Sequence, residues 1–573
     1  MSRRLLVITF LIISMGMLTL AFNIKPINAE PKIWTVDDNG PADFHRIGEA
    51  INAAKTGDTI FVKNGIYYES VIVNKTLTLI GENSAATIVD ANQTEFAISI
   101  TCSNVKIEGF TLCNASQFNS TQGFGIKAYN VTNCLINGNI LCFNYHGIRL
   151  ASCINSTVIN NNITSNRIGI LFESSSNCTV RNNRVYSNLY NGILIKNSDD
   201  CSVHDDYVAA TNYGIRTEYS NNCTIENNTA KKTIWYGIQT YSSNNSKVNN
   251  NTVNENYGTG ISIRYSPNCT INKNVLENNR NWYGLEIYLS NNSRAADNTL
   301  NGNYHGIQLL ESNNCEINSN EVNGSSNGIY GDSSLNNNVS YNTISNSFYG
   351  LFLSSSNKSI INANTIKGSR YRGVWIYNSI QNIFFHNNFV SNAAQAFIDN
   401  SANMWNSSIE GNYWSNYLGK DQNFDGIIDE AYILNENNTD NHPLLGSFSN
   451  FKTFSALSIY TICNSTISNF TYDLNNHRIR FIVNGTDGTI GFCRMSIPHA
   501  LMNETYYVTV DGVEPYLVNY TIYDNGEKRW IYFAYMHSPH EVVIVSEFPS
   551  IAILTLLIIA TLLAVIIRQK KVN

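Results

Sequence analysis

Charge is scarce in this chain of 573 residues. Only 14% are Asp, Glu, Lys or Arg, and proline occurs 9 times. The net charge of -6 leaves no basic excess, so the stripe that marks nucleic-acid binders is missing and nucleic acid is not an expected partner. Low net charge with 43% hydrophobic residues also excludes a disordered chain. Strong helix formers and a leucine ladder are both missing from the long middle region, which argues against helical and leucine-rich repeats. What is abundant is Asn, 89 residues in all, a surplus that points to a turn used many times.

Long apolar runs sit only at the two ends. Residues 1–29 read as a signal peptide: Arg3 and Arg4, an apolar stretch from Leu5 to Phe22, and small residues before Glu30. Residues 549–567 carry no charge and would span about 28 Å as a helix, close to a bilayer core of about 30 Å. The basic tail 568–573 follows, so the expected topology is one C-terminal transmembrane helix with the bulk of the chain outside. Numerous Asn-x-Ser/Thr sequons fit an exported glycoprotein.

Between the ends runs one period. Gly followed by an aliphatic residue recurs at Gly125, Gly147, Gly169, Gly192, Gly214, Gly237, Gly260, Gly284, Gly306, Gly328, Gly350 and Gly373, in steps of 22 to 24. In phase with it runs Asn, a small residue, then a hydrophobic one, as in Asn222-Cys223-Thr224-Ile225 and Asn268-Cys269-Thr270-Ile271. Each unit therefore holds three short strands with polar turns, and a propeller blade would need about twice the length. The expected fold is all-β: a right-handed parallel β-helix over residues 31–400, three strands and 22–23 residues per coil, each coil about 4.8 Å above the last. Alternation points Ile170, Phe172, Ile215 and Thr217 inward and Leu171, Glu173, Arg216 and Glu218 outward. Cys134, Cys178, Cys201, Cys223, Cys269 and Cys315 share one slot with Ser156, Ser246 and Ser293, which reads as inward packing of small side chains.

Residues 44–55 carry apolar side chains at helical spacing and are expected to cap the first coil. Residues 401–446 form the C-terminal cap, and alternating strands over 452–545 read as a small β-sandwich. Within it Cys463 and Cys493 are candidates for a disulfide in an oxidising compartment. The segments Asp37-Asp38-Asn39-Gly40-Pro41-Ala42-Asp43-Phe44, Gly57-Asp58-Thr59-Ile60, Asn64-Gly65-Ile66-Tyr67-Tyr68-Glu69 and Gly411-Asn412-Tyr413-Trp414-Ser415-Asn416-Tyr417, with the repeats, resemble NosD-like β-helix proteins of the carbohydrate-binding and sugar-hydrolase type. The tail makes the likeness one to archaeal cell-surface forms with a C-terminal membrane anchor. NosD itself is associated with copper-cluster maturation of nitrous oxide reductase, so the resemblance implies copper. The residues argue against it: His146 and His305 lie seven coils apart, roughly 34 Å, and His204 and His386 stand alone.

Three sets of residues could carry chemistry. Asp421, Asn423, Asp425, Ile427 and Asp429, with Gly426 at the sixth position, match a Ca²⁺ loop; position 12 is Tyr432, so Glu430 or Asp440 would have to complete it. Rings cluster beside the repeat glycine, and Tyr213, Trp235, Tyr236, Tyr241, Trp282, Tyr283, Tyr288 and Trp375 are candidates to stack on sugar faces. Glu173, Glu218, Glu286 and Arg216 point outward and are the candidates for a hydrolase or lyase, although no tight acid cluster is evident. The expectation is a membrane-anchored extracellular protein that binds glycans or envelope components. A polysaccharide hydrolase or lyase and a structural surface-layer protein are the alternatives.

Overall fold

The protein is described here by a computed structural model covering residues 30–117, 122–453, 457–502, 506–546 and 561. The expected signal peptide and tail, and the membrane span apart from residue 561, lie outside the described residues. Among the described residues no helix is long and apolar enough to cross a membrane.

The chain divides into two compact units, residues 1–166 and 167–573. In the first, Ile33–Val36 pairs in parallel with Thr59–Val62, which pairs with Thr78–Gly81. The capping helix is shorter than expected, Ile47–Ala53, with Ile47, Ala50 and Ile51 buried. Phe44 is not helical because it bridges Val36 and exchanges backbone hydrogen bonds with Thr35 and Asp37. Further on, Leu135–Asn137 pairs with Thr157–Ile159 and Ile140–Cys142 with Asn162–Thr164, each in direct register.

The second unit winds the same way: a right-handed parallel β-helix with three ladders. Strands such as Tyr213–Glu218, Thr224–Glu226 and Thr229–Lys231 make one coil and pair with Tyr236–Tyr241, Lys247–Asn249 and Thr252–Asn254 of the next. Ile215, Thr217, Ile263 and Ile287 are fully buried, as the alternation required.

Three devices fix the period. The first is the glycine file: a Cβ on Gly306 would lie 2.2 Å from the carbonyl oxygen of Gly328 and 2.5 Å from Val322, so successive coils approach too closely for any side chain. The second is a left-handed residue at each corner, such as Asn222, Asn268 and Asn314, with φ of 55–60°. The third is a buried Asn ladder. Asn251, Asn274, Asn298, Asn320, Asn342 and Asn364 each accept at Oδ1 the backbone N–H and the Nδ2–H of the Asn one coil earlier, beginning with Asn228 as the donor to Asn251. Each Nδ2 also donates to a carbonyl of the preceding coil, as Asn251 does to Ile225 at 3.0 Å. Buried amides thus stay paired, at about 1 kcal/mol net per bond. The Cys slot packs inward, and its thiols donate to carbonyls of the preceding coil: Cys201 to Ser175 and Cys269 to Ser243.

Winding continues past residue 400: Asn388–Val390 pairs with Tyr413–Trp414. Two antiparallel sheets follow, one of five strands beginning at Ser447 and one of four. They share a core that includes Ile479, Phe481, Met495, Val508, Phe533 and Ile544. Cys463 and Cys493 are directly opposite each other on neighbouring strands, so the register expected of a disulfide is present; both are free thiols in the structure.

Candidate functional site

The outward face of the glycine-strand sheet in the second unit carries three files of side chains. Register places Tyr213, Tyr236, Thr259 in the file before the glycine, and Tyr283 and His305 further along it. Arg216, Gln239, Ser262, Glu286 and Gln308 form the central file. Glu218, Tyr241, Arg264 and Tyr288 form the third.

Rings wall this face. Tyr213 stacks on Tyr236 at 5.7 Å and Tyr283 on His305 at 5.4 Å. On the far side Tyr219, Tyr241, Tyr265 and Tyr288 interlock edge to face at 5.4–5.9 Å. Tyr219 and Tyr265 were missed in the sequence because they occupy left-handed corners, φ 52°, where a ring is unusual. Further along, Trp375 stacks on Phe352 at 4.1 Å and Phe352 on Tyr330 at 4.7 Å. Tyr330 and Phe352 share Trp375's file, so phase in the repeat was the signal that could have found them. Trp235 and Trp282 stand half-exposed at the edge.

The central file points outward yet is buried from Gln239 to Gln308. Gln239, Ser262, Glu286 and Gln308 are each at most 4% exposed. Several polar atoms there have no hydrogen-bond partner among the described residues: Gln239 Oε1, Thr259 Oγ1, Gln308 Oε1 and the Nδ1 of His305. Burial pulls the His305 pKa down and pushes that of the Tyr236 hydroxyl up.

The candidate acids are spread along the face. Glu286 accepts from Arg264 Nε at 2.9 Å and Nη2 at 2.7 Å and from Ser262 Oγ at 2.7 Å, so both of its oxygens are engaged. Glu218 lies 3.6 Å from Arg216. Glu173 and Glu218 are two coils apart, roughly 10 Å, with Lys196 in register between them. Glu286 is three coils beyond Glu218 and in another file. A glycosidase needs two carboxyls about 5–9.5 Å apart. The structure brings Glu218 and Arg216 together but leaves Glu173, Glu218 and Glu286 on separate coils, because fixed coil spacing separates residues that sequence alternation places on one face.

The Asp421–Asp429 loop closes on its own backbone. Asp421 accepts from the N–H of Asp425 at 3.0 Å and of Gly426 at 2.8 Å, Asp425 from Ile427 at 2.8 Å, and Asp429 from Gln422 at 2.8 Å. Burial, followed by the charges of Asp425 and Asp429, raises the Asp421 pKa. Asp440 does not complete this loop. It ends the Asn ladder instead, accepting from Asn412 and Trp414, and burial raises it to about 6. Among the described residues no three His, Cys, Asp or Glu side chains converge on a metal-sized centre.

The family described as periplasmic copper-binding protein (NosD) matches residues 51–228 and 256–419, more than half of the sequence. The chain belongs to the NosD family. Residues 169–322 also match the family described as right handed beta helix region. A cell surface glycoprotein of Methanothermus fervidus is 32% identical over 139 residues, which are 24% of this chain and 20% of that protein, so the chain spans about a fifth of its length. Among solved structures, pre-mature bacteriophage phi29 gene product 12 is 14% identical with a TM-score of 0.44, covering 59% of this chain and 53% of that one. PfbA, a surface adhesin of Streptococcus pneumoniae, is 12% identical with a TM-score of 0.38, covering 61% and 88%.

The donors present in this NosD-family chain do not fit copper. His386 is engaged by Glu410 at 2.8 Å, His204 by Asp205 at 3.1 Å, and His305 lies between the rings of Tyr283 and Tyr304. Burial pushes the thiols of Cys134 and Cys315 up to about 11 and those of Cys223 and Cys269 to about 12, so they are neutral donors and poor metal ligands.

Proposed function

We propose that the chain is an extracellular β-helix protein that binds glycan along the ring-walled face of residues 213–308. The supporting observation is the run of rings along this face, Tyr213 on Tyr236 and Tyr283 on His305, with Trp235 and Trp282 half-exposed at its edge. Exposed aromatic faces take the apolar faces of sugar rings. Kinship with a cell surface glycoprotein supports an extracellular setting. Residues 549–567 are proposed as the membrane tether, and the Asp421–Asp429 loop as a structural Ca²⁺ loop.

Affinity electrophoresis of the full chain against a panel of immobilised polysaccharides tests this. At least one polysaccharide is expected to retard the protein, and Tyr236→Ala with Trp282→Ala to weaken retention about tenfold or more. No retardation by any polysaccharide would leave the structural surface-layer reading in its place. Reducing-sugar release that disappears in Glu218→Gln would instead favour the hydrolase or lyase.

A further inference from the structure

The edge of the coils just before the glycine file carries a ring on most rungs, and the rung before Gly328 is among those that carry none. Asn303-Tyr304-His305 and Ser347-Phe348-Tyr349 flank a rung that reads Ser325-Ser326-Asn327. A cleft of about 500 Å³ opens there, lined by Arg280, Tyr304, Ser325, Ser326, Phe348 and Arg370. Gly302 and Gly324, in left-handed turns with φ of 61° and 72°, keep its floor free of side chains.

Two rings flank the cleft. Phe348 stacks on Tyr371, one coil on, at 5.1 Å and 14°. Both Phe348 and Tyr304 are at least 40% exposed. Two coils separate them, roughly 10 Å, which is room for one pyranose ring in van der Waals contact with both side chains. The Oγ of Ser325, on a residue 1% exposed, has no hydrogen-bond partner among the described residues.

Charge marks this cleft. Arg216, Arg264 and Arg294, elsewhere in the unit, are each neutralised by a glutamate, at 3.6, 2.7 and 3.1 Å. Arg280 and Arg370 are exposed and have no carboxylate within salt-bridge distance among the described residues, and both line the cleft, one at each end. A guanidinium offers a planar fork of donors that matches a carboxylate or sulfate in two-point contact.

We propose that this cleft is a subsite for an anionic sugar, its ring held between Tyr304 and Phe348 and its carboxylate or sulfate held by Arg280 or Arg370. The proposal rests on the glycan-binding reading and narrows it to acidic polysaccharide. The full chain is run through gels containing polygalacturonate, dextran sulfate or neutral dextran. Polygalacturonate or dextran sulfate is expected to retard it, and neutral dextran to retard it at least tenfold less. Arg280→Gln with Arg370→Gln should remove at least tenfold of the acidic affinity and flatten its salt dependence. Both arginines are exposed, so folding should be unaffected, and a matching melting temperature checks this. Ser326→Trp supplies the missing ring from the chain itself and should block the acidic polysaccharide while leaving the fold intact. Retention unchanged in both variants overturns the subsite but leaves the wider face standing when Tyr236→Ala still weakens binding. Retention of neutral dextran as strong as of the acidic polymers overturns the anionic preference alone. No retention on any gel overturns this inference and the glycan reading together.

Discussion

Two regions of the second unit solve the same problem by different means. In the coils every strand pairs with one 22–25 residues away, and much of the interior is polar, satisfied by Asn and Ser ladders. In the two-sheet module, strands far apart in sequence pair, as Arg478–Asn484 does with His540–Ser546, around an interior of Ile, Val, Phe and Met. Repetition allows a polar core, because an amide that bonds the coil above and the coil below is never orphaned. A module without repetition has no such ladder and must exclude polar groups.

The sharpest break of this contrast is a side chain in the glycine file. Gly306→Val places a Cβ against the Gly328 backbone, and neither partner can yield without parting the coils. A loss of about 5 kcal/mol or more in denaturant unfolding is expected. The matched change in the module, Gly488→Ala, meets nothing within 4 Å and carries only the penalty of φ +77°, about 1 kcal/mol. Equal losses would sink the idea that backbone approach sets the coil period.

The two regions meet at a buried ionic knot, and cutting it comes next in size. Glu410, 1% exposed, binds Arg494 at 2.8 Å, His386 at 2.8 Å and the Tyr460 hydroxyl at 3.1 Å. Arg494 also donates to the Asp425 carbonyl at 2.7 Å. Burial opposes the charge on Glu410, but the His386 and Arg494 contacts outweigh it and hold the pKa at about 2, below the ordinary 4.5. This stability is present above pH 4.5 and lost as pH falls toward 2. Glu410→Ala should cost about 3–5 kcal/mol and split calorimetric melting into separate coil and module transitions. A single unsplit transition would count against the knot as the coupling element. Added Ca²⁺ should raise the module transition if the Asp421–Asp429 loop binds it, since that loop hangs on Arg494; no shift removes the ion.

How much of this was legible in sequence follows from the same contrast. The coils could be read because each residue type repeats in phase: Gly125 through Gly373, the Cys slot and the Asn corners all state one geometry many times. The boundary of the module could not, since Ser447 and the strands after it appear once. The site was half legible. Phase put Tyr213, Tyr236, Tyr283 and Trp375 on the outward face, but it said nothing about Gln239 and Glu286 being buried there, because alternation distinguishes in from out and not buried from exposed. Nor could spacing show that Glu286 is tied to Arg264 in the next file. The cleft at Ser325 was hidden for another reason: it is a missing ring, and a reading built on recurring residues passes over an omission.

The smallest effect tests the ladder at its one internal acid. Asp206 stands where the coils before and after carry Asn183 and Asn228, and it accepts from the N–H and Nδ2 of Asn183 at 2.6 and 3.0 Å. An Asn there would also donate; an ionised Asp cannot, and its Oδ2 is buried with no partner among the described residues. Burial, only partly offset by the Asn183 bonds, raises its pKa from the ordinary 3.8 to about 7. The folded state therefore holds this proton more tightly than the unfolded chain. The wild-type coil has its full stability below pH 3.8 and loses it as pH rises through about 7. Asp206→Asn restores the donor and removes the titration. It should leave stability nearly unchanged at pH 4 and raise it by about 2–4 kcal/mol at pH 8, the upper figure being the linkage limit for a shift of about three pH units. Urea midpoints for the two proteins at both pH values decide it: a gap of the same size at pH 4 and pH 8 would show that Asp206 is not the protonated rung and that the ladder tolerates a charge in its interior.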